Sequence, residues 1–177
     1  MDEPQPDFHF KFMALGFKFR DIFLPRRNIL KEVGIKPGFQ VLDYGCGPGG
    51  YILPLTELVG KSGKIYALDI LPLAIQMVQK LVEKKKLTNV QIIHSDCKTG
   101  LPDGSMDAVL LYDAFHELDD PEGILRELHR VLKPKGILSV SDHHMSEVQI
   151  LSALQKSGLF HLSTKAKRTY TFIKKEL

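Results

Sequence analysis

The chain has no tryptophan, only two cysteines among its 177 residues, and no apolar run long enough to cross a bilayer. Cys46 and Cys97 lack CxxC or zinc-ligand spacing and are too few for a disulfide framework, so a reducing, cytoplasmic setting is expected. No charged segment followed by an apolar one opens the chain, which predicts a soluble, unprocessed protein. Charge of one sign is also missing: 24 Lys and Arg stand against 21 Asp and Glu, and the basic residues are not gathered into one run. Composition therefore makes no case for nucleic acid or a membrane as partner. There is no internal repeat or low-complexity tract, and 44% apolar residues can supply one substantial core.

What is present begins with aromatic residues. Six of the ten phenylalanines fall before residue 24, and Phe8, Phe12, Leu15, Phe19 and Ile22 recur at helical spacing. An amphipathic helix is expected there, either packed on the main domain, closing over a substrate pocket as a lid, or lying on a membrane surface. Ile29, Leu30 and Val33 mark a second short helix, stopped by Gly34 and Pro37-Gly38. These two helices make a predicted N-terminal helical segment, residues 1–38.

From residue 39 to residue 177 the pattern alternates. Strands are predicted at 40–43, 64–68, 90–94, 108–112 and 137–141, and helices at 50–59, 72–86, 121–132 and 146–156. The strands are short and apolar on both faces, the mark of a parallel sheet covered on both sides, so the fold class is α/β. Pro134-Lys135-Gly136 reads as a turn before the fifth strand. The end differs: two strand-like runs, 160–163 and 170–173, are separated by a short polar turn with no room for a helix. The sheet should finish with an antiparallel hairpin.

The stretch from Val41 to Tyr51, VLDYGCGPGGY, is a strand end, a glycine turn and a helix start, which together make a nucleotide-type site. Gly45, Gly47 and Gly50 formally satisfy the dinucleotide pattern GxGxxG, and taken alone that match is weak. Asp43 counts against a pyrophosphate, which it would repel, and suits a cation instead. Asp69 ends the second strand and Asp96 follows the third. No GKS or GKT follows the glycines, which excludes a P-loop.

These residues resemble the class I S-adenosylmethionine-dependent methyltransferases, from about residue 41 to the C-terminus. VLDYGCGPGGY is similar to that family's first motif, ALDI (67–70) to its second, HSDC (94–97) to its third and SMDAVLLYDAFHEL (105–118) to its fourth. LHRVLKPKGIL (128–138) resembles the segment before the fifth strand in the branch that includes ubiquinone and menaquinone methyltransferases. The resemblance implies a single Rossmann-like doubly wound sheet, strand order 3-2-1-4-5-7-6, with strand 7 antiparallel. It also implies S-adenosyl-L-methionine as cofactor. Asp43 would face the ammonium of the methionine part, with the Gly45 and Gly47 amides near its carboxylate. Asp69 would accept both ribose hydroxyls, and Asp96 the adenine amino group, with Cys97 and Ile70 against the ring. Tyr112 would lie near the sulfonium. Each acid could instead serve as a cap or turn residue, and Tyr112 could be core.

Methyl transfer from a sulfonium mainly needs alignment and exclusion of water, and a base only for a hydroxyl or carbon acid. His116, Asp113 and His143 stand where such a base would be, after strands four and five, with Asp142 and His144 beside them. Adjacent histidines on an extended segment point apart, so no metal is expected. A small-molecule acceptor is favoured, or a larger one reaching an open cleft, because only the N-terminal forty residues and short loops remain to make a substrate site. The competing readings are a cofactor-binding protein without transfer activity and a nicotinamide oxidoreductase.

Overall fold

The computed structural model describes residues 26–176. The helix expected between Phe8 and Ile22, and its possible action as a lid, lie outside the described residues. The chain runs α1 (Arg26–Val33), β1 (Gln40–Tyr44), α2 (Ile52–Val59), β2 (Lys64–Asp69), α3 (Pro72–Lys85), β3 (Val90–His94), β4 (Met106–Tyr112), a 3-10 turn (Phe115–Glu117), α4 (Pro121–Val131), β5 (Leu132–Ser141), α5 (Glu147–Ser157), β6 (Phe160–Lys165) and β7 (Tyr170–Lys174). Seven strands form one sheet in the order β3-β2-β1-β4-β5-β7-β6. The first five are parallel, and β7 runs antiparallel to both β5 and β6.

Successive side chains of a strand point to opposite faces, so a run that is apolar throughout feeds two cores. Val41, Ile65, Ala67, Ala108 and Leu110 pack beneath α1, α2 and α3, where Leu30, Val33, Ile52, Leu55, Val59 and Val78 are buried. Their neighbours Leu42, Leu68, Val109, Leu111 and Val140 face the opposite way, against Leu125, Leu128 and Val131 of α4 and Ile150 and Leu154 of α5. Three helices thus cover one face and two the other, and α1 is part of the first layer. Helix ends follow local chemistry. Asp120 accepts from the Gly123 amide with Pro121 at the first helical position, and Ser146 and Gln149 form a reciprocal capping box.

Most element ends lie within two residues of the sequence expectation, and two of the differences have a clear cause. Helix α2 starts at Ile52 rather than residue 50, because Cys46 to Tyr51 are spent on successive turns, with the Gly49 amide donating to the Cys46 carbonyl and the Ile52 amide to the Gly49 carbonyl. The fifth strand starts at Leu132 rather than 137. Leu132 already pairs with Met106, and the next pair is Ile137 with Ala108, so residues 133–136 form an excursion inside the strand with Lys135 at φ +61°. Pro134-Lys135-Gly136, expected as a turn before the fifth strand, lies within β5 as an irregularity of the strand. No helix among the described residues is long and apolar enough to cross a membrane.

Candidate active site

The strand order reverses between β1 and β4, and the loops leaving the carboxyl ends of β1, β2, β3, β4 and β5 diverge there, which leaves a crevice. A cavity of about 410 Å³ occupies it. Asp43, Gly45, Gly47, Asp69, Ile70, Asp96, Cys97, Tyr112, Asp113, His116 and His143 all line it, whereas Gly50 and Asp142 do not.

The glycine loop is folded by its own amides. Gly45 N and Cys46 N both donate to the Leu68 carbonyl at 2.9 Å, tying the end of β1 to β2. Gly45 has φ +72°, and a Cβ there would sit 2.6 Å from Ala114 Cβ in the loop after β4. Backbone conformation and close approach both demand glycine at this point. Asp69, 6% exposed at the end of β2, accepts from Gly47 N at 2.8 Å and Leu71 N at 2.9 Å. Each oxygen keeps a further lone pair, and Asp69 lines the cavity, so it offers the acceptor pair a vicinal diol would need.

Asp43 is 1% exposed and its Oδ2 has no hydrogen-bond partner. Burial raises its carboxyl from 3.8 to about 7, Arg26 opposes that shift, and the charge of Asp69 adds to it. A buried acceptor without a donor, lining a cavity, is complementary to a ligand that brings its own cationic donor. The amino-acid end of S-adenosylmethionine carries such an ammonium, so the residues present fit that cofactor.

At the other end, the loop after β3 holds Asp96 and Cys97. Asp96 accepts from Cys97 N at 2.7 Å through its side chain and from the Tyr44 hydroxyl at 2.7 Å through its carbonyl. Glu127 of α4 anchors this loop. It accepts from the Thr99 amide and hydroxyl at 2.8 and 2.6 Å and pairs in a fork with Arg130, which holds its carboxyl down at about 2. Ile70 and Leu71 expose 58% and 45% of their surface beside this loop, apolar area suited to one face of a base. Tyr112 is buried, and its hydroxyl bonds Ser139 Oγ at 2.8 Å. Burial pushes its phenol well above the usual range, so it stays neutral. Its ring, in edge contact with Tyr51 at 5.0 Å, is the part that borders the cavity.

The loops after β4 and β5 hold each other crosswise. His116, from the first, places Nδ1 2.8 Å from Oδ2 of Asp142 in the second, and Asp142 is completely buried at its side chain. His143, from the second, places Nδ1 2.7 Å from Oδ1 of Asp113 in the first. Asp142 is fixed further by the amides of His116 at 3.1 Å and His144 at 2.9 Å. A carboxylate only accepts, so Nδ1 of His116 is the donor to Asp142, and Nε2 lies 3.6 Å from Glu117 Oε1. The His144 ring lies 4.3 Å from that of His116 and 3.8 Å from that of His143. The two adjacent histidines therefore do not point apart as expected, because residues 143 and 144 form a turn rather than an extended strand. Asp113, Asp142 and His143 also bring possible ligand atoms within 4.8 Å of one another, a convergence invisible when the histidine pair is considered alone.

Arg26 was not among the sequence candidates. It opens α1, is 8% exposed, and lines the same cavity. The only hint was Gly50, whose missing side chain makes room for it: a Cβ there would meet the guanidinium at 2.1 Å.

A sheet in this order, with a cavity over its reversal point and acids at the ends of β1 and β2, defines the class I S-adenosylmethionine-dependent methyltransferase fold. The methyltransferase domain family matches residues 35–176, and the chain belongs to that family. It is similar to the demethylmenaquinone methyltransferase of Geobacillus stearothermophilus, 31% identical over 130 residues, covering 73% of this chain and 56% of the relative. It is also similar to a sterol 24-C-methyltransferase of Gibberella zeae, 35% identical over 145 residues, covering 80% of this chain and 37% of the relative. The chain spans about half the length of the curated relatives it matches. A solved SAM-dependent methyltransferase from Aquifex aeolicus superposes with a TM-score of 0.83 at 29% identity, covering 97% of this chain and 98% of that one.

Proposed function

We propose that the protein transfers a methyl group from S-adenosylmethionine to a small or medium-sized acceptor that must lose a proton, a hydroxyl or a carbon acid, with His116 as general base. The carrying observation is the 2.8 Å pairing of His116 Nδ1 with the fully buried Asp142 at the acceptor end of the cavity. The cofactor supplies a methyl group already activated by its sulfonium. Asp43 and Asp69 would hold its ammonium and ribose, and Asp96, Cys97 and Ile70 its adenine. The Tyr112 ring would flank the sulfonium, where an aromatic face favours positive charge.

The remaining work is proton removal and alignment. Asp142 fixes the tautomer in which His116 Nε2 is the acceptor and stabilises the imidazolium as it forms. Asp113 with His143, more exposed, would contact the acceptor beside it. The names of two relatives, for demethylmenaquinone and sterol, support an acceptor with a ring system in a partly apolar setting. A cytoplasmic location belongs to this proposal as well, supported by two free cysteines.

The test is a screen of quinols, phenols and carbon acids with methyl-labelled cofactor, followed by His116→Ala. Transfer to the best acceptor should fall by about 10² to 10⁴, with the acidic limb of activity against pH lost and cofactor affinity kept. Asp142→Asn should lower kcat more than it changes KM. Full activity in His116→Ala would refute the base.

A further inference from the structure

We infer that Arg26, at the start of α1, recognises the carboxylate of the cofactor's amino-acid end, and that Gly50 lacks a side chain to admit its guanidinium. This rests on the cofactor reading above. Arg26 precedes the stretch matched by the methyltransferase domain family, residues 35–176, and no motif discussed above includes it.

Three observations place a fixed cation at that end of the cavity. The guanidinium is held in a slot. It lies 4.6 Å over the Tyr51 ring, and its Cζ and Nη1 stand 2.1 Å from where a Gly50 Cβ would be. Gly50 has no positive φ, so the backbone does not demand glycine there, and a side chain at this position would have to push the guanidinium aside. The base of the residue is immobile, because Leu30 and Val33 of the same helix are buried against Ile52, Leu55 and Val59. The charge is also singular: among the described residues that line the cavity, Arg26 is the only lysine or arginine.

Its neighbourhood then sorts ligands by charge. Arg26 acts on Asp43, the buried acid whose Oδ2 lacks a donor. One cation and one acid, both withdrawn from water, face the same end of the cavity. An α-amino acid carries both opposite charges on one carbon and satisfies both groups together. A ligand with the ammonium alone would answer Asp43 and leave the guanidinium to its protein contacts. A planar guanidinium accepts a carboxylate through two parallel N-H donors, which a lysine cannot reproduce. The rival explanation is that Arg26 only pins α1 onto the glycine loop.

Calorimetry on the full chain with S-adenosylmethionine and its decarboxylated analogue separates the two. The wild type should prefer the carboxylated ligand by about tenfold or more. Arg26→Gln should bring the ratio close to one while leaving the decarboxylated analogue bound as before, and Arg26→Lys should fall between. Gly50→Ala, which displaces the guanidinium without removing it, should reproduce Arg26→Gln, with thermal melts showing that each variant is folded. A ratio near one in the wild type, or a ratio unchanged in the variants, overturns the inference. An equal loss for both ligands makes Arg26 a packing residue and overturns it too. A wild type that binds neither ligand overturns the cofactor reading itself.

Discussion

Asp43→Asn should make the unliganded protein more stable at pH 8 and at the same time a poorer binder of its cofactor. Asp43 has an ordinary value of 3.8 that rises to about 7 in the folded protein, chiefly through burial. The protonated form is therefore the one the fold prefers. The contribution of this group to stability is fully present below 3.8, declines as pH rises, and is lost through about 7. At about 1.4 kcal/mol per tenfold change in proton affinity, an ionised Asp43 costs the unliganded fold about 4 kcal/mol above neutrality. Asparagine keeps the shape and has no charge to bury. Urea denaturation of both proteins at pH 5 to 9 reads the effect directly. The variant should gain about 3 kcal/mol on the wild type between pH 5 and 8, the part of that cost not already incurred at pH 5, and nothing further above. Cofactor affinity should move the other way, falling by about 10- to 150-fold in the variant at pH 8, the worth of a hydrogen bond to a charged group. Wild-type binding should take up the ammonium together with release of up to one proton, nearly a whole one below pH 6, about half of one near pH 7 and none by pH 9. A stability difference that does not vary with pH would refute the reasoning, because it would mean that Asp43 is ionised without cost.

Gly45→Ala should destabilise by about 2 to 5 kcal/mol, adding the strain of a left-handed alanine to the clash with Ala114, as a lowered urea midpoint would show. Glu127→Gln should cost about 1 to 2 kcal/mol at neutral pH, the shift discounted for the solvent that screens this partly exposed pair, since the fork to Arg130 is lost. The wild type, whose Glu127 is held at about 2 against an ordinary 4.5, should lose that stability as pH falls between those values, and the variant should not; denaturation series at pH 2 to 5 check it.

Much of the fold could be read from the chain because its strands report their own surroundings. Runs such as Val109-Leu110-Leu111 are apolar at every position, and only a strand between two helical layers needs that. The closing hairpin followed from the lack of room for a helix after residue 164. The strand order rested on resemblance, since periodicity fixes which residues are buried and not which strand lies beside which. The start of β5 was missed because Leu132 reads as the last residue of a helix until its pairing with Met106 is seen. At the site, the acids after β1, β2 and β3 were legible from their positions at strand ends. The crossed partners were not: Asp113, His116, Asp142 and His143 each looked like a candidate, but sequence spacing cannot say that each acid serves the other loop's histidine. Arg26 was hidden for the same reason. Its relation to Gly50 exists only after α1 has folded back over the glycine turn.

The crosswise pairing of the loops after β4 and β5 constrains how this site can change. Each loop supplies the carboxylate that orients the other's imidazole, so neither is a complete module. Grafting one loop from a relative with a different acceptor would strand an acid and a histidine at once. New acceptor specificity is reached here by exchanging both loops together, or by changes at the cavity's rim that leave the four paired residues alone.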